Sequence, residues 1–313
     1  MSKRDDILEL VLNGNSPGYV PAAFFHHFPK EFSGGLASAN KHMEYFRYTG
    51  MDLLKIQFER PFPRLESLQK PADWADFPFY DTDYFDDQLE AIRELVEAAD
   101  GQVVTVVTLY SAFQHSRYAA GLETVVRHLE ENPEAYCKGL EIIAESILGF
   151  VDACIDAGVD GFYASTQGRE DSTLADKKLF DDYVKPYDLL VLEKIDANCD
   201  FNILHVCDNH GRYSDLKPFE DYPGDLINVP PELTTGPISA AEAYSIFKRP
   251  LMGGLDRLGI IVDGPEDAIQ DAVYDTLDAN PEISVLGADC TLPSHVNWDN
   301  IKAAIDAAHS YER

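Results

Sequence analysis

Residues 201–211, FNILHVCDNHG, are apolar over most of a strand's length, end in a histidine and a cysteine two positions apart, and then break into polar sequence. Side chains of an extended chain alternate between two faces, so His205 and Cys207 share one face and Leu204 and Val206 the other. A strand built for a core thus finishes in two soft metal ligands.

Seven further β-rich apolar runs lie around it: residues 19–25 (YVPAAFF), 52–58 (DLLKIQF), 103–110 (VVTVVTLY), 161–166 (GFYAST), 225–230 (DLINVP), 250–256 (PLMGGLD) and 283–290 (ISVLGADC). Helix-like stretches with matching punctuation separate most of them. Asn132 and Pro133 form a start signal, Ser239 and Glu242 a capping box, and Gly264-Pro265-Glu266 opens another helix. Only the link from 207 to 225 is too short for a clear helix. Strands alternating with helices imply a parallel sheet, and eight such units in 313 residues predict an α/β fold, a (β/α)8 TIM barrel, as one domain over 1–313. Residues 2–14 (SKRDDILELVLNG) predict an N-terminal helix closing the bottom of the barrel or packing on its flank.

Composition narrows the partners. The formal net charge is −30, from 55 acidic against 25 basic residues, and such an acidic protein repels phosphate backbones and anionic membranes. No nucleic acid or membrane partner is expected. No stretch reaches the roughly 18 apolar residues of a membrane helix and no signal peptide is evident, so a cytoplasmic location is expected. The sequence assigns no oligomeric state. Five cysteines at irregular spacing make no disulfide framework. Cys137, Cys154 and Cys199 read as small residues of helices.

In a barrel of this kind chemistry collects at the C-terminal ends of the strands. That rule gathers His26, His27, Gln57, Glu59, Arg60, Thr108, Tyr110, Ser165, Thr166, Gln167, His205, Cys207, Asn228, Gly254, Asp256, Arg257 and Cys290. A His-x-Cys pair alone reads by default as a satisfied histidine beside a buried cysteine. Cys290 changes the balance, because zinc prefers thiolate and imidazole, and a catalytic zinc keeps three protein ligands and one open position. Cys290 shares strand parity with Leu286 and Ala288, so it must turn inward just beyond its strand. Of the rest, His26, Tyr110, Gln167 and Asp256 are assigned to the chemistry, and Gln57, Ser165, Asn228 and Gly254 to holding a cofactor. Only one of His26 and His27 can face inward. Asp256 and Arg257 are expected to pair with each other, and His210 to be a loop residue or a spare ligand.

Residues 160–168 (DGFYASTQG), 205–209 (HVCDN), 250–259 (PLMGGLDRLG) and 287–305 (GADCTLPSHVNWDNIKAAI) resemble the uroporphyrinogen decarboxylase superfamily, and within it the methylcobalamin:coenzyme M methyltransferase branch. The resemblance spans nearly the whole chain. It implies zinc on His205, Cys207 and Cys290, a small thiol as methyl acceptor, and a corrinoid, free or on a corrinoid protein, as methyl donor. The decarboxylases carry an arginine-rich RQAGR motif after the first strand and an aspartate after the second. Here those places read FFHHFPKEF and KIQFERPFP. The alternatives are a decarboxylase-like enzyme acting on a porphyrin-related carboxylate, and a non-catalytic barrel that binds or docks.

Overall fold

The computed structural model describes residues 2–312. Seven parallel strands form one sheet in the order β1-β2-β3-β4-β5-β8-β9: β1 Leu53–Ile56, β2 Val104–Tyr110, β3 Gly161–Thr166, β4 Ile203–Val206, β5 Leu226–Asn228, β8 Leu251–Leu255 and β9 Ile283–Ala288. A short antiparallel ribbon, β6 Glu232–Leu233 with β7 Gly236–Pro237, stands outside it. The architecture is α/β and barrel-like. Only a three-residue 3-10 helix, Lys217–Phe219, lies between β4 and β5, as the short link requires.

The eighth expected strand differs. Residues 19–25 form no regular strand, although Ala22 bridges Leu286 and His26 bridges Leu292 in parallel fashion. Backbone bonds run from Ala23 to β9 (Ala23 N to Leu286 O, 3.0 Å) and from Asp52, at the entry to β1, back to Ala22 (2.9 Å). The segment therefore occupies the eighth position without a continuous ladder. Pro21 has no N–H to give, and the Ala22 N–H donates to the Asp52 carboxylate at 2.8 Å.

Alternation along the strands separates two cores. Leu54, Ile56, Val107, Ala164, Leu204, Val206 and Ile227 pack toward the helices. Leu53, Val104, Val106, Tyr163, Ile203, Leu226 and Met252 belong to an inner cluster that also takes in the N- and C-terminal helices. Register aligns Ser165 with His205 and His205 with Asn228, so the inward ends of β3, β4 and β5 lie at one level.

The base of the sheet is covered by helix Lys3–Asn13, opened by a Ser2–Asp5 capping box and ended by Gly14 in the left-handed region. Arg4 reaches Asp160 at 2.7 Å and Asp200 at 3.1 Å, the residues just ahead of β3 and β4. Asp52 is fully buried and binds Lys3 Nζ at 2.8 Å and His309 Nε2 at 2.7 Å, joining the first helix to the last, Trp298–Ser310. The terminal helix thus closes the bottom. The cap signals at Asn132 and at Ser239–Glu242 both operate as expected. Among the described residues no helix is long and apolar enough to cross a membrane.

Candidate functional site

A cavity of about 520 Å³ opens at the C-terminal ends of the strands, and His205, Cys207 and Cys290 lie along one part of its wall. His205 is the inward residue near the end of β4, with Leu204 and Val206 in the helical layer as alternation demands. Cys290 arrives differently. β9 stops at Ala288, and a bend at Asp289 turns the next side chain in, so that Cys290 Sγ lies 3.8 Å from Cys207 Sγ and 3.4 Å from His205 Nε2. Among the described residues these three make a group whose ligand atoms all lie within 4.8 Å of one another.

The two cysteines are fixed by a shared brace. Arg257, two residues beyond β8, bonds Asp208 at 2.8 Å and the Asp289 carboxylate as well, while its N–H donates to Asp289 at 2.6 Å. Asp208 follows Cys207 and Asp289 precedes Cys290, so one guanidinium ties both ligand loops together. This corrects the expected pairing of Asp256 with Arg257.

Hydrogen bonds tune the sulfurs. The thiol of Cys290 lowers Cys207 to about 7, aided by the Asn209 backbone and the Gln167 amide, whose Nε2 donates at 3.0 Å. The same sulfur–sulfur contact, with burial, pushes Cys290 up to about 12. Two thiols this close share a proton, and the pair is the unit that titrates. Arg117 holds Gln167 from behind through a 2.7 Å bond to its Oε1. Partners one step beyond a metal ligand typically matter about 10–100-fold in affinity. Gln167→Ala is expected to weaken retention of a metal ion within that range, read by competition with a chromophoric chelator; unchanged retention would show that this bond does not tune Cys207.

The other expected residues divide. Tyr110, Ser165 and Gln167 line the cavity, with Thr108 and Arg257. His26 does not. It is buried among Phe28, Tyr45 and Trp298, accepts from Trp298 Nε1 at 3.1 Å, and leaves His27 as the member of the pair that lines the cavity and bonds Glu59 at 2.8 Å. Asp256 is exposed and accepts the Leu258 N–H in the turn after β8, because the chain bends there and carries position 257 inward. Gly254 stands away from this cavity at φ +116°, where a Cβ would meet Thr276 Cγ2 at 2.8 Å, so its lack of a side chain serves close helix packing.

Asn228 is buried off the cavity, accepting the Tyr163 hydroxyl at 2.7 Å and donating to the Met252 and Ala288 carbonyls. Gln57 is also off the cavity, but its Oε1 accepts from Lys55 at 3.1 Å and from Thr108 at 3.3 Å. Arg60 bonds the Tyr84 carbonyl and Thr166 the outward Asp188, and His210 is an exposed loop residue at the rim. Lys55, Tyr163, Asp208 and Asp289 were not expected. Lys55 alone carried a signal, a charge inside an apolar strand on the face of Leu53 and Gln57.

A family model described as Uroporphyrinogen decarboxylase (URO-D) matches residues 50–311. Among solved structures, a methyltransferase from Methanosarcina mazei has 16% identity over 98% of each chain with a TM-score of 0.74. A B12-independent methionine synthase from a Shewanella species has 10% identity, covering 93% of this chain and 96% of that one, with a TM-score of 0.55. A putative B12-independent methionine synthase from Listeria monocytogenes has 12% identity, covering 94% and 98%, with a TM-score of 0.56. These likenesses concern the fold. No curated protein matches the chain.

Proposed function

Since the chain belongs to the uroporphyrinogen decarboxylase (URO-D) family, we propose that within it this protein is a zinc-dependent methyltransferase, moving a methyl group from a corrinoid or similar donor to a small thiol. The observation that carries this reading is the spacing of the three ligand atoms. Zinc–sulfur bonds of about 2.3 Å and zinc–nitrogen bonds of about 2.0–2.1 Å, at tetrahedral angles, require sulfurs about 3.8 Å apart and nitrogen about 3.6 Å from sulfur. Cys207 Sγ and Cys290 Sγ are 3.8 Å apart, Cys290 Sγ and His205 Nε2 are 3.4 Å apart, and the third pair lies within 4.8 Å. Three protein ligands would leave a fourth position open on a zinc ion, and all three line the cavity, which favours catalysis over a closed structural site and over a merely binding barrel.

Zinc, when bound, would draw the proton from a coordinated thiol at neutral pH while leaving its sulfur electron-rich. The chain supplies the rest. His205, Cys207 and Cys290 would hold the metal, while Gln167 bonds the Cys207 sulfur and the Arg257 brace fixes the loops that carry both cysteines. Tyr110 and Ser165 wall the space in which the acceptor is oriented. Methyl transfer forms a carbon–sulfur bond and breaks the bond from carbon to the donor, which keeps the electron pair; the thiol proton leaves to solvent. Orientation of sulfur against carbon is the main contribution such a cavity makes.

Decarboxylation of a substrate with many carboxylates lacks support, because Arg257 is already committed to two aspartates and Arg117 to Gln167. Purified protein is expected to carry about one zinc per chain, and to consume methylcobalamin only when a small thiol is present, with the S-methyl product seen by mass spectrometry. Uroporphyrinogen should yield no coproporphyrinogen. Metal-free protein after reconstitution under reducing conditions, or porphyrinogen turnover, would overturn the reading.

A further inference from the structure

Lys55 is the feature that the site as described leaves unused. It sits in β1 between Leu54 and Ile56, which pack toward the helices, so its side chain projects into the barrel interior. It is only 5% exposed, yet it lines the cavity shared by His205, Cys207 and Cys290. Its ammonium lies over two aromatic faces, 4.7 Å from the Phe25 ring centre and 4.4 Å from that of Tyr163, and donates to Gln57 Oε1 at 3.1 Å. Among the described residues no carboxylate comes within ion-pair distance of it.

An ammonium buried without an anion is costly, and ring faces with one amide oxygen offset only part of that cost. Burial pushes Lys55 down to about 8, against the opposing pull of Cys290, Glu59 and Cys207, so it remains largely protonated at neutral pH. The ring beneath its charge also touches the site: Tyr163 lies 5.0 Å, centre to centre, from His205. Two thiolates, one neutral imidazole and a divalent ion sum to zero. An acceptor thiolate then makes the centre anionic at the wall of the cavity that Lys55 also lines.

Resting on the metal reading above, we infer that Lys55 is the charge-balancing residue of the site, its buried ammonium offsetting the negative charge that a third thiolate brings beside Cys207 and Cys290. Gln57 and Tyr163 are the groups that hold that ammonium in place. The function assigned to Lys55 is electrostatic, so it favours any thiolate acceptor whatever its tail carries.

The test uses the full-length protein loaded with cobalt(II) in place of zinc, whose thiolate charge-transfer absorption reports a third sulfur directly. Wild type, Lys55→Met, Lys55→Gln and Lys55→Arg are compared at one pH, with far-UV spectra and cobalt content checked first. They are titrated with 2-mercaptoethanol, which has an uncharged tail, and separately with 3-mercaptopropionate. Lys55→Met and Lys55→Gln should bind both thiols about tenfold or more weakly, the scale of one opposite charge lost from within several ångströms in a protein interior, while Lys55→Arg stays close to wild type. Equal binding of 2-mercaptoethanol by wild type and Lys55→Met would overturn the inference. So would a loss confined to 3-mercaptopropionate, which would make Lys55 a tail anchor, or loss of cobalt from folded Lys55→Met and Lys55→Gln, the mark of a structural role. If wild type itself takes up no cobalt, the metal reading falls and this inference with it.

Discussion

Cys290→Ser and Cys207→Ser proteins are expected to leave purification without metal and with methyl transfer at background. Each removes one of three ligand atoms, and a hydroxyl does not replace a thiolate on a thiophilic ion. The loss of affinity should exceed the roughly 100-fold that marks the upper range for outer partners. The fold should survive, because Cys290 stands beyond the end of β9 in a bend held by Asp289 and Arg257, and that brace remains in the variant. Elemental analysis and a urea midpoint taken on the same sample separate the two effects. Full metal content in Cys290→Ser would remove this residue from the ligand set.

Asp52→Ala should produce the largest loss of stability of any single change considered. The carboxylate is fully buried and meets Lys3, His309 and the Ala22 N–H together. Breaking a fully buried ion pair typically costs about 3–5 kcal/mol, and the cost here should fall below that because Lys3 and His309 keep 37% and 31% of their side chains exposed. Asp52→Asn keeps an acceptor for Ala22 and should lose less. Burial alone would raise the Asp52 carboxyl, but the hydrogen bond and charge of His309 and the Lys3 ammonium outweigh it and hold the group below its usual range. Its folded value therefore lies below its unfolded value, so its stabilisation is present above the ordinary carboxylate range and is lost as pH falls through the folded value. Urea unfolding of wild type and Asp52→Ala should show a gap at pH 7 that narrows in acid; a constant gap would mean that packing alone is at work.

What the sequence made legible was local and periodic. His205 and Cys207 line one cavity as alternation predicts, Cys207 keeping the parity of β4 one residue past its end, and the caps at Asn132 and Ser239 depend on a few adjacent residues. The same rule chose between His26 and His27 with no ladder to rest on, since residues 20–25 are extended without being a regular strand. Asp256 was misplaced by one position because β8 ends at Leu255 and the chain enters a turn there, Asp256 accepting the Leu258 N–H, whereas the chain past β4 keeps its parity for one more residue. The Arg257 brace was invisible because it joins three loops distant in sequence. Lys55 could be seen as an anomaly in an apolar run, but its two ring faces come from residues 25 and 163, and only the fold brings them together.

The closure at Asp52 also sets a schedule for synthesis. His309 follows Asp52 by 257 residues, and translation at about 5–20 residues per second makes that interval on the order of 10–50 s. Throughout it the nascent chain carries β1 and the segment before it without the last strand or the last helix, so one flank of residues 20–25 has no backbone partner and Asp52 lacks the imidazole that completes its setting. An open edge of this kind invites pairing with another chain. The ribosome-bound intermediate, rather than the finished protein, is therefore the form most exposed to aggregation, and lower growth temperatures or chaperone supply should improve yield by protecting that edge until residue 309 emerges.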